Sequence, residues 1–279
     1  MVSEIRYAAH PGDVKNYTTD QLRANYLIDS VMKPGEISCV YSMHDRMITL
    51  GIVPVDAPIT LPSFEEYTKS EYFLERRELG IFNVGGAGSV IVDGVKYDLQ
   101  KKECLYIGKG SKDVVFASES ANEAAEFFVN SCPAHKEYPT TKAAQSDANE
   151  VNLGVQENSN ERTIYQFIHE DGIQSCQLVM GFTTMKPGSI WNTFPPHTHN
   201  RRMEVYFYFD VPENQVVIHF MGDPEETRHL VMHNKQAVIS PEWSIHSGAG
   251  TSAYSFVWGM AGENKAFTDM DAVDINALR

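Results

Sequence analysis

Apolar residues in this chain fall mostly in short runs of four to eight positions that alternate with polar ones, the period of strands with a buried face. In the first half the runs cover residues 36–41, 46–53, 80–84, 89–92, 95–99, 104–107, 114–117 and 126–130. In the second half they cover 163–168, 176–183, 215–220, 228–232, 236–239 and 252–258. Asp93-Gly94 between two such runs predicts a two-residue hairpin. Many short strands with glycine-rich turns predict an all-β sandwich or barrel. The early helical signal is Thr18 followed three residues later by Gln21, a capping box, with Leu22, Tyr26 and Leu27 on the helix and Pro34-Gly35 as its stop. The final stretch, 267–279, predicts loop and one short helix.

Gly85, Gly86 and Gly88 sit between strands. No helix opens after them and no βαβ unit surrounds them, so they read as turn residues rather than a dinucleotide loop.

The stretch with the most chemistry runs from Pro195 to Phe209 and holds His197, His199 and, five residues on, Glu204. On a strand, residues two apart share a face, so the two histidines point the same way. Glu204, Tyr206 and Tyr208 likewise share a face, and Arg202 has the same parity. Two imidazoles and a carboxylate suit a divalent transition ion such as zinc, iron, manganese or nickel. His246, in Pro241-Glu242-Trp243-Ser244-Ile245-His246, is the candidate fourth ligand. A lone His-x-His in a β-rich chain is weak evidence; the complete set of four carries the argument.

The two halves read as a duplicated unit. Residues 75–79, Glu-Arg-Arg-Glu-Leu, echo residues 200–204, Asn-Arg-Arg-Met-Glu, and 106–113 echo 239–246. On that register Tyr72 and Leu74 stand where His197 and His199 stand, Leu79 replaces Glu204, and Asp113 replaces His246. The first half therefore lacks the ligands. Residues 139–160 contain few large apolar side chains and read as a linker. The expected organisation is a first domain over 1–138, the linker over 139–160, and a metal-binding second domain over 161–279.

The 279 residues suffice for one large or two modest domains. The net charge of −14 argues against nucleic acid or an anionic membrane as the main partner, and an acidic substrate would need a locally basic pocket. Cys39, Cys104, Cys132 and Cys176 are scattered without a CxxC and read as reduced thiols of a cytoplasmic protein. The opening residues do not form a signal peptide, and no apolar run approaches a membrane span.

The His-x-His, the four-residue spacer to Glu204 and the later Pro-x-x-x-x-His resemble the cupin metal motifs. Two departures stand out: Trp243 takes a glycine position, and the asparagine often found after the last histidine is absent. The likeness extends over nearly the whole chain. Residues 72–80, 114–118, 191–193, 197–209, 226–229 and 258–260 resemble the 5-keto-4-deoxyuronate isomerases, also called 4-deoxy-L-threo-5-hexosulose-uronate ketol-isomerases. The resemblance implies a bicupin of two β-sandwich or jelly-roll barrels with short helices. It implies one zinc per chain on His197, His199, Glu204 and His246, a homohexamer, and a ketouronate substrate from pectin degradation.

The implied reaction is an aldose–ketose isomerisation of 5-keto-4-deoxyuronate to 3-deoxy-D-glycero-2,5-hexodiulosonate. A proton leaves the hydroxyl-bearing carbon, an enediol forms, and a proton is returned to the former aldehyde carbon. Tyr206, Tyr208 and Glu242 are candidates for the proton-transfer group. Arg202, then Arg228, are candidates for binding the substrate carboxylate. The same ligand set would also serve an iron or manganese dioxygenase or decarboxylase, or a sugar-binding bicupin with an idle metal. The acidity and the lack of a DNA-binding segment argue against a regulator.

Overall fold

The protein is described by a computed structural model over residues 2–279, with side chains from Glu4 onward. The Asp93-Gly94 turn follows its local chemistry. Both residues have positive φ, 48° and 85°, as a type I′ turn requires. Strands Gly88–Val92 and Val95–Leu99 then pair antiparallel across it, with Val92 opposite Val95. The capping box also forms: the Thr18 hydroxyl accepts from the Gln21 N–H at 3.3 Å, and Gln21 Oε1 accepts from the Thr18 N–H at 2.8 Å. That helix, Thr19–Tyr26, ends before Leu27. Leu27 and Ile28 instead pair with Val238 and Ala237, because sheet pairing outcompetes one more helical turn.

The chain divides into two compact units. The first comprises residues up to Ile5, Ser30–Ala148 and Phe167–Val179. Its larger sheet has seven strands in the order Val2–Arg6, Ile37–Ser42, Ile48–Ile52, Phe127–Pro133, Arg77–Asn83, Cys104–Ile107 and Thr141–Ala143. Its smaller sheet has four, Ile59–Thr60, Val114–Ser118, Gly88–Val92 and Val95–Leu99. The core between them contains Leu50, Leu79, Ile81, Val90, Phe116 and Phe127, all fully buried.

The second unit, Arg6–Asp29, Asn149–Gln166 and Met180–Arg279, follows the same plan. Its seven-stranded sheet runs Asn149–Leu153, Arg162–Ile168, Val179–Met185, Ser255–Gly262, Arg202–Phe209, Gln236–Ser240 and Leu27–Ile28. Its four-stranded sheet runs Trp191–Asn192, Ser247–Gly250, Val217–Asp223 and Glu226–Met232. A further two-stranded ribbon joins His197–Thr198 to Asp271–Ala272.

The duplication is visible in the strand registers. Leu79 stands opposite Ile107 in the first unit, and Glu204 stands opposite Ser240 in the second. Asp113 directly precedes strand Val114–Ser118, as His246 directly precedes Ser247–Gly250.

Where the linker was expected, the structure has two edge strands. Thr141–Ala143 pairs with Cys104–Ile107, and Asn149–Leu153 pairs with Arg162–Ile168. The second of these is mostly exposed, so its polar composition imitates a linker. The short helix expected near the end is a 3-10 turn, Ile275–Ala277, preceded by strand Asp271–Ala272. Gly85 and Gly86 lie in the turn as expected, while Gly88 opens strand Gly88–Val92: a Cβ on Gly86 would lie 2.1 Å from the Glu123 carbonyl.

Candidate metal centre and pocket

Strand Arg202–Phe209 is buried along its whole length. Its alternation sends Arg202, Glu204 and Tyr206 toward a cavity of about 320 Å³. His197 and His199 enter the same cavity from the ribbon segment, as their two-residue spacing predicted. His246, fully buried, comes from the opposite sheet. Among the described residues, the nitrogens of His197, His199 and His246 form the one group of metal-type donors within 4.8 Å of one another.

The distances are those of atoms directed at a common point. His246 Nε2 lies 3.0 Å from His197 Nε2 and 2.9 Å from Glu204 Oε2, and His199 Nε2 lies 3.3 Å from Glu204 Oε2. The far side of two rings faces backbone carbonyls: His199 Nδ1 is 2.7 Å from the Arg202 oxygen, and His246 Nδ1 is 3.3 Å from the Ser244 oxygen. An Nδ1–H donated outward leaves the Nε2 lone pair facing inward, which is the tautomer a metal ligand needs. The donor chemistry therefore fits a divalent transition ion.

The charge states of His197 and Glu204 agree with that fit, and His199 shares its proton with Glu204 until an ion displaces it. Burial, reinforced by the neighbouring His246, lowers the pKa of His197 to about 3, so its imidazole is neutral. Burial alone would lower His199 as well, but the hydrogen bond and charge of Glu204 raise it. Burial would raise Glu204, yet His246 and His199 together hold its carboxyl well below the ordinary carboxylate range. A neutral imidazole and an ionised carboxylate are the ligating forms.

The equivalent positions of the first unit contain none of this. Leu79 is part of an apolar core, and Asp113 is exposed with its N–H donated to Asp93 Oδ1 at 2.9 Å. Glu78, one residue away on the opposite face of that strand, is fully buried for a different purpose. Its carboxylate accepts from Tyr106 Oη at 2.7 Å and from the N–H groups of Cys176, Gln177 and Leu178 at 2.7, 2.9 and 2.9 Å.

The structure separates the remaining candidates. Tyr206 lines the cavity, with its hydroxyl 3.3 Å from Thr193 Oγ1. Burial, together with the charge of Glu204, raises its pKa well above the ordinary value and keeps the phenol protonated. Tyr208 lies outside the cavity lining and its hydroxyl pairs with His219 Nδ1 at 2.8 Å. Glu242 is half-buried and outside the lining; its charge acts on Tyr26. Arg202 lines the cavity and donates from Nη2 to the Asp269 carbonyl at 2.9 Å. Arg228 does not line it: its guanidinium contacts Glu226 at 2.8 Å, the Thr227 carbonyl at 3.0 Å and the Lys15 carbonyl.

Sequence reading missed Arg162, a second lining arginine, which opens strand Arg162–Ile168 and donates to the Asn160 carbonyl at 2.9 Å. Its signal was parity with Ile164, which lines the same cavity. It also missed Phe267 and Met270, which reach the cavity from the final segment; nothing in their local pattern marks them.

Comparison with known proteins places this architecture. A sequence model of the KduI/IolB family matches residues 27–277. A relative named 4-deoxy-L-threo-5-hexosulose-uronate ketol-isomerase in Formosa agariphila is 55% identical over 276 residues, covering 99% of this chain and 98% of the relative. A protein of the same name in Lachnoclostridium phytofermentans is also 55% identical, covering 99% of this chain and 100% of its own. Among solved structures, an IolB-like protein from Salmonella typhimurium aligns with a TM-score of 0.66 at 14% identity, covering 81% of this chain and 87% of the other. Oxalate decarboxylase from Bacillus subtilis, described for its Mn(II) centres, aligns with a TM-score of 0.56 at 9% identity, covering 82% of this chain and 71% of the other. The fold is thus the all-β bicupin expected from the motifs.

Proposed function

Because the chain belongs to the KduI/IolB family, we propose that it is a ketol-isomerase that converts 5-keto-4-deoxyuronate to 3-deoxy-D-glycero-2,5-hexodiulosonate. The observation that carries this reading is a three-histidine, one-carboxylate donor set at a cavity with two lining arginines, on a chain whose nearly full-length relatives bear that enzyme's name.

Zinc, one per chain, is the proposed ion, with His197, His199, Glu204 and His246 as its ligands. When bound, it supplies a Lewis acid for the oxygens that carry the enediolate charge. The chain's own residues do the rest. Arg162 and Arg202 give the cavity the local positive charge that a uronate requires in a chain of net charge −14. Tyr206, protonated, can donate to a substrate oxygen as charge develops there. Phe256, Trp258, Met260 and Phe267 form an apolar wall that excludes water from the intermediate. Tyr208 holds His219, whose ring packs 5.6 Å from that of Tyr206.

The same reading includes a role in pectin breakdown, a homohexameric assembly and a cytoplasmic location. Among the described residues no helix is long and apolar enough to cross a membrane; the four free cysteines support that location.

The deciding experiment is conversion of 5-keto-4-deoxyuronate by the purified protein, before and after chelation and with zinc restored. Chelator-sensitive, zinc-restored isomerisation is the expected result. No conversion by folded, metal-loaded protein would overturn the reading.

A further inference from the structure

The metal-ligand ribbon is half built from the far end of the chain. Strand Asp271–Ala272 pairs with His197–Thr198, Ala272 opposite His197 and Asp271 opposite Thr198. The Val273 N–H donates to the Pro196 carbonyl at 3.2 Å. The same segment contributes Phe267 and Met270 to the cavity wall, with the Phe267 ring 5.4 Å from that of Trp258.

Little apolar burial secures it. Met270 and Ile275 are 41% and 50% exposed. Besides the ribbon and the Phe267 contact, its fixings are polar and lie at two places. At the far end, the Arg279 carbonyl accepts from the Thr227 N–H at 2.9 Å, and the Arg279 N–H donates to the Pro224 carbonyl at 3.1 Å. At the near end stands Arg201, which sits between the ligand His199 and the pocket residue Arg202 and does not itself line the cavity. Its Nε and Nη2 donate to the two oxygens of Asp269 at 3.1 and 2.6 Å, and its Nη1 donates to Asp271 at 2.8 Å. Asn264 also donates to Asp269, at 2.6 Å.

We propose that Arg201 is a positioning residue: its fork on Asp269 and Asp271 latches residues 264–279 as a closed strap that holds the His-x-His strand in place and sets one wall of the substrate cavity. A planar guanidinium suits this task because it binds one carboxylate with two parallel bonds and reaches a second with its remaining nitrogen. Without it, the two aspartates lose their shared counter-charge in an already acidic chain, and a strap with little buried apolar surface keeps only the ribbon, the Asn264 bond and the Arg202 bond to the Asp269 carbonyl at that end. The strap would act on substrate fit through Phe267 and Met270, and on metal retention through the ribbon.

The effect on substrate rests on the isomerase reading, so the test includes readouts that do not. The holoprotein, Arg201→Ala, Arg201→Lys and the milder Asp271→Asn are compared in the full chain. Three quantities are measured: the rate of metal release to EDTA, tryptic cleavage at Lys265, and KM and kcat on the ketouronate. For Arg201→Ala the expected result is metal release faster by about tenfold, cleavage at Lys265 that the parent resists, and KM up by about tenfold with kcat changed less, the scale of one charged hydrogen-bonded contact. Arg201→Lys, which keeps the charge but not the fork, should fall between, and Asp271→Asn should shift all three in the same direction by less.

Unchanged release and cleavage in Arg201→Ala would overturn the proposal, as would a lowered Tm with neither altered. If Arg201→Ala does not fold, unchanged release and cleavage in Asp271→Asn overturn it equally. An inactive parent would sink the isomerase reading alone, since release and cleavage still decide the strap.

Discussion

Glu204 Oε2 lies 2.9 Å from His246 Nε2, although the two residues come from opposite sheets of the second unit's sandwich. The contact joins the sheets through a charged group that is nearly fully buried. Such a charge is costly unless partners surround it. The three imidazoles, and an ion between them, would offset that cost.

His246→Ala or Glu204→Gln should therefore remove bound metal and activity together. The loss of metal affinity should exceed the roughly 10–100-fold seen when only an outer hydrogen-bond partner is removed. Metal analysis of the purified variants checks this. Full metal content in either variant would exclude that residue as a ligand.

Leu79, in the position equivalent to Glu204, should behave as a core residue. Leu79→Ala is expected to cost about 2–5 kcal/mol of stability through the cavity it leaves. Metal content per chain should be unchanged. Denaturant unfolding with parallel metal analysis separates the two effects.

Tyr206→Phe removes a hydroxyl from the cavity and little else. If the phenol serves proton transfer, kcat should fall by about 100-fold or more, with metal content retained. A variant with parental kcat would leave Tyr206 as a wall residue only.

Stability should decline toward alkaline pH for reasons remote from the metal. Burial raises Cys39 from 9.0 to about 12, raises Cys104 and Cys132 well above 9.0, and raises Tyr26 and Tyr106 well above 10.0. In each case the folded state holds its proton more tightly than the unfolded chain. The contribution is fully present below the unfolded pKa and is lost as pH rises from there through the folded value. For Cys39 that window runs from about pH 9 to about pH 12, and each such group adds a slope of up to about 1.4 kcal/mol per pH unit. Tm measured between pH 8 and 11 should fall steadily; a flat profile would contradict the burial of these groups.

The same burial predicts thiol reactivity. Cys39, Cys104 and Cys132 are buried and Cys176 is partly exposed. A thiolate-directed reagent should modify Cys176 in the native protein and the other three only on unfolding. Modification of two or more cysteines without unfolding would count against this packing.

Much of the site was legible because it depends on local spacing. The His197–His199 interval and the parity of Arg202, Glu204 and Tyr206 follow from strand alternation, and the structure keeps both in the cavity lining. The hairpin at Asp93-Gly94 and the Thr18–Gln21 capping box were equally local. Arg162 was harder, since an arginine at a strand start reads as surface until a cavity is known to lie beneath it. Arg228 and Arg202 looked alike in sequence, yet their hydrogen-bond partners differ entirely.

Taken alone, the sequence determined the all-β class, the duplication, the ligand-type residues and the half that carries them. Each of these is written in periods of two or in the residue types themselves. The tertiary structure decided what depends on long-range pairing. It assigned residues Arg6–Asp29 to the second unit and Phe167–Val179 to the first. It turned a polar stretch that resembled a linker into the edge strands Thr141–Ala143 and Asn149–Leu153. It brought Phe267, Asp269 and Asp271 back against the ribbon of His197. Edge strands and straps bury little apolar surface, so they leave almost no hydrophobic period in the sequence, and only the partner they pair with reveals them.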